Sequence, residues 1–600
     1  MAVEEVAHNK HDRASSLEKQ EVEEIDVVPS SPPTVLQNSD GESVTITWKT
    51  WFVIFVLSST FGLSFWPVPT TAALQGKLAI QFGEPLSSAW YVPAYTTGNA
   101  IGFLIAGANS DLFGRRLFLL FGNITCCVGF IVTATTEGAM QFTAGLAITG
   151  FGGGFCQMAM CSIPELIPNK FRHIGVCLSD GFVFVIVIIG PIVGRYAIDS
   201  GGWKYIYWGG FIAQFFSLAA LFVFYKPPKH PKGIPWHEAV KGLDYVGSAL
   251  IIPGVCLVLV GIINTTYKSS SDVTVIAPMA VGFVLIALFG WWETVSNVPH
   301  KLCPPHLFVS HKGREFTAPF IVAFIVTMFY YSVNIIWQVP FPVRSLFVSL
   351  TMGRPTMVNV FYLTPTTSRT TELLLTLPPN VGLVFGACLL IAFGGVIKHW
   401  KKTLIVSWTG MTLFGALMGL CTPFNKELMI AFCCINATFF GWAQYESVAF
   451  TQLGVPQEDL GFSGGLAGMA RYAGGSLAVA IYTTILTNTQ STRVAATLPA
   501  AAVAAGMTPE NAQKLLAAFP SGATAIAAVP GTTEEALAAA SLAFQWSYAH
   551  GLKVVALSSL SFGVVGLIMC FWCEDLGPKM TNKTEIFLEN DVNAEKNVYH

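Results

Sequence analysis

Fourteen apolar runs, separated by short polar segments, decide what this 600-residue chain can fold into. Each run holds about 18–25 residues, and a helix of that length crosses about 30 Å of hydrocarbon at 1.5 Å per residue. Across the chain 53% of the residues are hydrophobic and only 11% are charged, whereas roughly a quarter are charged in soluble domains. The sequence therefore predicts an all-α protein that crosses the bilayer many times.

The predicted spans lie between two polar tails, residues 1–46 and 574–600. The first tail is acidic and rich in Ser and Pro, a composition typical of disorder. An Ala-rich segment at 488–546 is expected to form an outer loop, part of which (509–518) is expected to be a surface helix. In chain order the spans are placed near 49–73, 88–108, 117–135, 140–164, 173–198, 203–225, 243–264, 273–292, 316–337, 376–397, 403–421, 427–451, 461–487 and 549–573.

A faint internal repeat indicates two related halves. Gly-Phe-Cys-Gln at 154–157 in the fourth span resembles Gly-Trp-Ala-Gln at 441–444 in the twelfth, and Pro168 and Pro456 follow. We therefore expect one six-helix bundle at 47–226 and another at 316–573, with a two-helix insert at 227–315. Parallel halves with a substrate site between them are typical of secondary transporters.

Basic residues predict the orientation of the chain, because loops on the cytoplasmic side carry an excess of Lys and Arg. If the N-terminus is inside, the inner loops hold fourteen of these residues and the short outer connections hold five, leaving aside the segment near 338–375. Both termini are therefore expected to face the cytoplasm.

A ten-residue motif, Gly-Ala-Asn-Ser-Asp-Leu-Phe-Gly-Arg-Arg at 107–116, lies between the second and third spans. It resembles the loop at this position in major facilitator superfamily transporters. Without a side chain, Gly107 allows close helix packing, and Gly114 permits a tight turn. Asp111 can accept hydrogen bonds from a helix N-terminus, and Arg115 and Arg116 can pair with acids on the inner side.

Together these residues are predicted to form a gating latch that is made in the outward-facing state and broken in the inward-facing one. Glu165, near the end of the fourth span, is a predicted partner. The alternative is a turn whose arginines only follow the charge bias of inner loops.

The fifth span contains Gly190, Pro191 and Gly194, a pattern that lets a helix bend and pack closely. It resembles the core of the motif that marks antiporters in this superfamily, although Ile186 and Arg195 replace further glycines of that motif. A purely structural kink is the alternative.

Three ionisable residues fall inside predicted spans, where charge is costly and therefore indicates function. Asp180, Glu446 and Arg471 are the candidates for proton coupling, since a buried carboxylate could load and release a proton in each cycle. The alternative is a permanent pair of Arg471 with either acid that only holds helices together.

Amides, hydroxyls and aromatic rings within spans are candidates for lining a path for an amphipathic solute. They are Gln157, Tyr330, Tyr331, Asn334, Gln444 and Tyr445, with Trp66, Tyr91 and Tyr95 as further candidates. Many aromatic residues of membrane proteins instead face lipid or the membrane interface.

Several segments resemble the fungal trichothecene efflux pump family, a fourteen-span drug:proton antiporter group close to siderophore–iron transporters. They are Trp-Tyr-Val-Pro-Ala-Tyr-Thr-Thr at 90–97, the motif at 107–116, Pro-Glu-Leu-Ile-Pro-Asn-Lys at 164–170 and Leu-Glu-Asn-Asp at 588–591 with the final Asn-Val-Tyr-His. The resemblance implies a major facilitator fold of two six-helix bundles plus two inserted helices. It also implies proton-driven export of trichothecene-like toxins or drugs. Leu146 occupies a position where such carriers often have an Arg, so the proton-coupling scheme that is usual in the family is in doubt for this chain.

Residues 338–354 interrupt a stretch that otherwise continues smoothly from Trp337 into Pro355. The segment is either a short retained intron translated into the sequence or a genuine outer loop broken by two prolines. Transcript reads that cross it without a junction would exclude the intron.

One rival function is proton-coupled siderophore–iron uptake. A rival from another class is a transporter-like solute sensor, but a sensor is expected to have longer tails with interaction motifs. An enzyme is not expected, because no nucleophile–base or metal constellation stands out, and no nucleotide-binding loop indicates an ATP-driven pump. Most of the thirteen cysteines lie in apolar runs, so we expect neither a metal nor another cofactor. Expected partners are the solute, protons and the bilayer, with no nucleic acid. We expect a monomer in the plasma membrane, with the vacuolar membrane as the alternative.

Overall fold

The computed structural model describes residues 46–84, 87–228, 236–265, 268, 271–337, 357–363, 367–519 and 523–597. The predicted disorder of the first tail and the interpretation of residues 338–354 lie outside these ranges. Within them the regular secondary structure is helical, apart from one isolated β-bridge between Leu243 and His300.

Each of the fourteen predicted spans overlaps one long helix or one pair of consecutive helices. Eleven of these segments are long and apolar enough to cross a membrane by length and composition, and α2, α9 and α13 occupy the other three positions. The segments are α1 Trp48–Gln81, α2 Ser88–Phe113, α3 Arg115–Ala134, α4 Ala139–Glu165, α5 Asn169–Asp199, α6 Lys204–Phe224, α7 Tyr245–Asn264, α8 Val273–Val295, α9 Thr317–Trp337, α10 Pro378–Val396, α11 Trp400–Leu420, α12 Lys426–Leu453, α13 Leu460–Ala504 and α14 Glu534–Trp572.

The expected outer loop at 488–546 is instead largely helical. Helix α13 continues to Ala504, and α14 already begins at Glu534. The short helix Pro509–Ala518 lies where the sequence predicts one, and it buries Ala512 and Leu515. Falling hydropathy suggested a loop, but Ala is the best helix former, so the helices continue past the apolar runs.

Three spans are divided where the continuous α-helical hydrogen-bond pattern is interrupted. In α1 the break lies at Trp66, just before Pro67, which cannot donate a backbone hydrogen bond. In α4 it lies at Gln157 and Met158, and in α5 it lies at Asp180. Each of these breaks coincides with a candidate residue from the sequence: Trp66, Gln157 and Asp180.

The internal repeat is visible in helix packing. Gly154 of α4 lies against the backbone of α2, and Gly441 of α12 lies against the backbone of α10 at Leu383. The pairs α2–α4 and α10–α12 therefore correspond with an offset of eight spans. This is the offset expected if α1–α6 and α9–α14 are related and α7 and α8 are inserted between them.

The inserted helices form a closely packed pair. A side chain at Gly282 of α8 would meet the Gly254 oxygen of α7 at 2.7 Å, so the two helices approach almost backbone to backbone there. Helix α7 also packs against α2 and α13, one helix from each half.

The buried core differs between the two ends of the helices. At the end that carries residues 107–116, one apolar cluster joins both halves and includes Phe103, Met160, Trp400 and Tyr445. At the opposite end separate clusters serve the first half, around Leu74 and Trp203, and the second half, around Trp337 and Tyr482. Among the described residues, the apolar clusters that contain residues of both halves therefore lie at the end of the predicted latch.

Candidate functional site

The predicted latch is assembled around a buried arginine. Gly114, at φ 83°, separates α2 from α3 and turns the chain so that Arg115 begins α3 beside the end of α2. Arg115 Nη1 lies 2.5 Å from Glu165 Oε2, and its Nη2 lies 3.4 Å from Asp111 Oδ1. All three side chains are buried, so the two carboxylates offset the charge of a guanidinium that water does not reach.

The latch reaches the second half through Asp111. Its Oδ2 accepts a hydrogen bond from the backbone N–H of Phe462, in the first turn of α13, at 3.3 Å. The positive end of the α13 dipole therefore faces a carboxylate, as the sequence predicts. Gly107 and Gly465 allow this approach, since a Cβ on Gly107 would lie 2.5 Å from the Gly465 Cα.

Three further hydrogen bonds join the halves at this end. Glu165 Oε1 also accepts a hydrogen bond from the amide of Gln457, which precedes α13. Arg172 donates to the Gln452 carbonyl at 3.4 Å, and the Gln452 amide donates to the Met160 carbonyl at 2.9 Å. Gln452 and Gln457 could not be predicted from the sequence, because neutral amides in a loop or at a helix end give no pattern.

Arg116 departs from the prediction that it pairs with an acid. It donates from Nη2 to the Phe222 carbonyl at 2.8 Å, and its guanidinium lies 5.6 Å from the centre of the Phe222 ring. The next residue of a helix points about 100° away. When Arg115 faces Glu165, Arg116 must therefore face α6.

Two of the three charged residues predicted to lie inside the spans, Asp180 and Arg471, meet between the halves. Arg471 Nη2 of α13 lies 3.4 Å from Asp180 Oδ2, and the Tyr445 hydroxyl of α12 donates to the same oxygen at 2.9 Å. Of the two pairings left open for Arg471, the structure has the one with Asp180. Its carboxylate lies at the break of α5 and is buried, so one acid of the first half is held by two helices of the second.

Glu446 has a different environment. It accepts hydrogen bonds from the Thr403 hydroxyl at 2.5 Å and from the Trp442 indole N–H at 3.0 Å. No cation lies within ion-pair distance of this carboxylate in the described ranges. Glu446 is therefore a buried acid held by neutral donors within the second half, and no ion pair joins it to Arg471.

The predicted path residues are only partly brought together. Gln157 lies at the break of α4 with its Oε1 unpaired in the described structure, and Gln444 is also buried. Tyr330 stacks on Phe440 at 4.7 Å between ring centres. Tyr445 is instead bound to Asp180. The backbone of α9 includes Tyr331 and Asn334, but their side chains lie outside the described part.

The additional aromatic candidates have partners within the first half. Trp66 donates to the Ile206 carbonyl at 3.2 Å, Tyr91 shares a hydrogen bond of 2.7 Å with Ser87, and the Tyr95 hydroxyl accepts from Asn99 at 3.3 Å. These contacts brace the first bundle, and none of the three reaches the second half through them.

The glycine–proline motif of α5 is a site of close helix approach. A Cβ on Gly190 would meet Pro69 Cγ at 2.8 Å, and one on Gly194 would meet the Thr70 oxygen at 2.5 Å. The motif therefore packs α5 against the part of α1 that follows its break. Its role in antiport stays a prediction.

The sequence pattern of the fungal trichothecene efflux pump family (TRI12) matches residues 50–600. This chain belongs to the fungal trichothecene efflux pump family. The MFS-type transporter prx5 of Penicillium rubens is 38% identical over 566 residues, which cover 94% of this chain and 98% of that protein. The trichothecene efflux pump TRI12 of Fusarium sporotrichioides is 24% identical and covers 89% of this chain and 88% of its own length.

Solved structures with a similar fold are also major facilitator proteins. The proton:xylose symporter XylE aligns with a TM-score of 0.52 at 14% identity, covering 89% of this chain and 98% of its own. A peptide transporter POT aligns with a TM-score of 0.51 at 12% identity, covering 90% and 97%. These likenesses confirm the predicted major facilitator fold. The family consists of efflux transporters of small organic compounds, and this chain is a multi-pass transporter of that kind.

Proposed function

We propose that this chain exports amphipathic organic compounds, of the trichothecene-like sesquiterpenoid class or similar drugs, in exchange for protons. The observation that carries the proposal is the contact of Asp180 with Arg471 and Tyr445 between the halves. A titratable acid that joins the two halves is where proton binding can change their attraction.

The proposed cycle uses this contact as follows. When Asp180 binds a proton, its charge is lost and so is its ion pair with Arg471. The attraction between α5 and α13 then weakens, and the halves can rock about the site. When the proton leaves on the other side, the ion pair forms again. The free energy comes from the proton gradient, without a cofactor.

The latch controls the other step of the cycle, the opening and closing of its own end of the protein. With Asp111, Arg115 and Glu165 in contact, the shared apolar core closes the latch end of the protein. Opening that end requires the contacts of Asp111 with α13 and of Glu165 with Gln457 to break. A solute bound between the halves would then be exposed alternately on the two sides.

The cellular setting follows from the same reasoning. The excess of basic residues in alternate loops supports cytoplasmic termini, so the latch lies on the cytoplasmic side. We place the protein in the plasma membrane as a monomer, since export of a toxin is effective there and a single chain holds both halves of the site.

Transport in proteoliposomes tests the proposal. The purified protein is reconstituted and an imposed pH gradient drives flux of terpenoid toxins and ferric siderophores. Movement of a toxin against the direction of the protons supports export. Movement of a siderophore together with the protons would instead show uptake, and solute binding without any gradient-driven flux would favour a sensor.

A further inference from the structure

The segment that follows α14, residues 574–597, lies across the latch end of the protein, and we call it the strap. Its first part contacts the second half. Lys579 Nζ lies 2.6 Å from Glu315 Oε1, just before α9. An Asp575 carboxylate oxygen accepts from the backbone N–H of Lys401 at 3.4 Å, and Leu576 is buried in the shared apolar cluster.

The middle of the strap binds the first half through its backbone. The N–H groups of Asn169 and Lys170 donate to the carbonyls of Lys583 and Thr581 at 2.9 and 2.8 Å. The N–H of Ile586 donates at 3.2 Å to the carbonyl of Glu165. The strap therefore touches the residue whose side chain closes the latch.

The last part of the strap is anchored at the beginning of α1. Asp591 Oδ2 accepts hydrogen bonds from the hydroxyls of Thr47 and Thr50 at 2.6 and 2.7 Å. Glu589 N–H donates to the Lys226 carbonyl at the end of α6 at 3.0 Å. Leu588 is 1% exposed and belongs to the apolar cluster that joins the halves.

We propose that the strap is a tie that holds the latch end closed, and that it releases the second half at Lys579 and Glu315 when that end opens. The inference rests on the proposed alternating access. A segment bound to both halves cannot keep all its contacts while the halves separate.

The side of release follows from the contacts. The first half holds the strap by buried side chains and several backbone hydrogen bonds. Lys579 is 37% exposed in its pair with Glu315, and such partly exposed pairs contribute little to stability. Between the buried Leu576 and the bound Thr581 lie residues 577–580, which can extend over about 13 Å at about 3.3 Å per residue. They supply the slack that the opening needs.

Two cross-links distinguish the sides of the strap. In a Cys388→Ser background, which removes an exposed native thiol, one variant carries Glu315→Cys and Lys579→Cys, and the other carries Thr50→Cys and Asp591→Cys. A short bis-methanethiosulfonate reagent links each pair, and reductant reverses the link. The single-cysteine variants treated with the same reagent are the controls.

We expect the link between residues 315 and 579 to reduce the transport rate at least tenfold, and reductant to restore it. The link between residues 50 and 591 should leave the transport rate within twofold of the controls. Full transport with the 315–579 link formed would overturn the proposal, and so would arrest by the 50–591 link alone.

A measurement without transport separates this proposal from the proposed function. Amide hydrogen exchange of Asn169 and Lys170 reports strap binding to the first half. We expect protection that survives Glu315→Gln and disappears in the double variant Leu588→Ala, Asp591→Asn. Fast exchange in the unmodified protein would contradict the tie even if solute export is observed. Absence of gradient-driven flux with these amides protected would instead count against export.

Discussion

Arg115 and Glu165 approach to 2.5 Å at the ends of α3 and α4, and neither side chain is exposed to solvent by more than a few per cent. Asp111 lies on the other side of the same guanidinium at 3.4 Å. Breaking a buried ion pair costs about 3–5 kcal/mol when the remaining charge is left uncompensated, and Asp111 reduces that cost when Glu165 is removed. The latch therefore contributes measurably to the free-energy difference between the closed and open states of this end.

Neutralising Glu165 tests this contribution of the latch to the closed state. Glu165→Gln keeps the shape of the side chain but leaves Arg115 with one carboxylate. We expect gradient-driven transport to fall at least tenfold and thiol labelling of the buried native Cys161 to rise, because the latch end spends more time open. Arg116→Gln is the matched control, since among the described residues Arg116 contacts a carbonyl and a ring rather than an acid. Equal losses in both variants would contradict a latch centred on Arg115.

Asp180 and Glu446 form a second matched pair of buried acids. In Asp180→Asn the side chain cannot ionise, so we expect proton-driven net flux to vanish while solute exchange without a gradient persists. Glu446→Gln should keep gradient-driven flux within about threefold, because its present donors are neutral and belong to the second half. Both fluxes are measured in the same proteoliposomes. The reverse result would move proton coupling to Glu446.

Close packing of α5 on α1 makes Gly194 sensitive to small changes. Gly194→Ala would place a methyl group 2.5 Å from the Thr70 oxygen, and such overpacking costs about 1–3 kcal/mol. We expect a lower melting temperature in detergent. Gly209 of α6 is the control, since nothing lies within 4 Å of its added Cβ, and there Ala should stabilise the helix by up to about 1 kcal/mol. Equal melting temperatures for the two variants would refute the packing argument.

Acid should loosen the end of the strap. Burial raises the pKa of Asp591, but hydrogen bonds from Thr47 and Thr50 outweigh it, so the pKa lies below the ordinary 3.8. Because the pKa of Asp591 is lowered when the strap is docked, its carboxylate stabilises docking fully at pH values above 3.8. This contribution is lost as the pH falls through the lowered pKa of the docked state.

Spin labels on cysteines at Val592 and Trp48, two exposed positions, report this loosening in the Cys388→Ser background. We expect a constant distance from pH 7 to about pH 5 and a distribution that broadens progressively as the pH falls below 3.8 toward the lowered pKa of Asp591. Asp591→Asn serves as the control and should show one distribution throughout. A distance in the parent protein that does not change with pH would contradict the role of the carboxylate.

The spans and the first part of the latch could be predicted from sequence because their causes are local. Apolar run length predicts the membrane helices, and Asp111 and Arg115 are only four residues apart around Gly114. The contact of Tyr445 with Asp180 joins residues 265 positions apart. Such a pairing depends on how the two halves meet, which no periodicity of a single helix records.

Two structural features were not predicted from the sequence: the helical extensions of α13 and α14, and the contacts of the strap. Hydropathy reports transfer into hydrocarbon, so the predicted end of α13 and the predicted beginning of α14 fall where the chain becomes Ala-rich. The backbone nevertheless stays helical beyond both boundaries. The strap carries no periodic pattern, because mostly non-helical backbone hydrogen bonds and a few buried side chains hold it. Its sequence reads as an ordinary polar tail.

The continuation of α13 and α14 beyond the apolar runs has a practical consequence for imaging. Helix α13 alone, with 45 residues, is about 68 Å long at 1.5 Å per residue, more than twice the hydrocarbon thickness of about 30 Å. With the helix Pro509–Ala518 packed beside them, the two helices form a projecting mass on an otherwise small particle. An antibody fragment raised against that projection would give electron micrographs an asymmetric landmark for aligning particles.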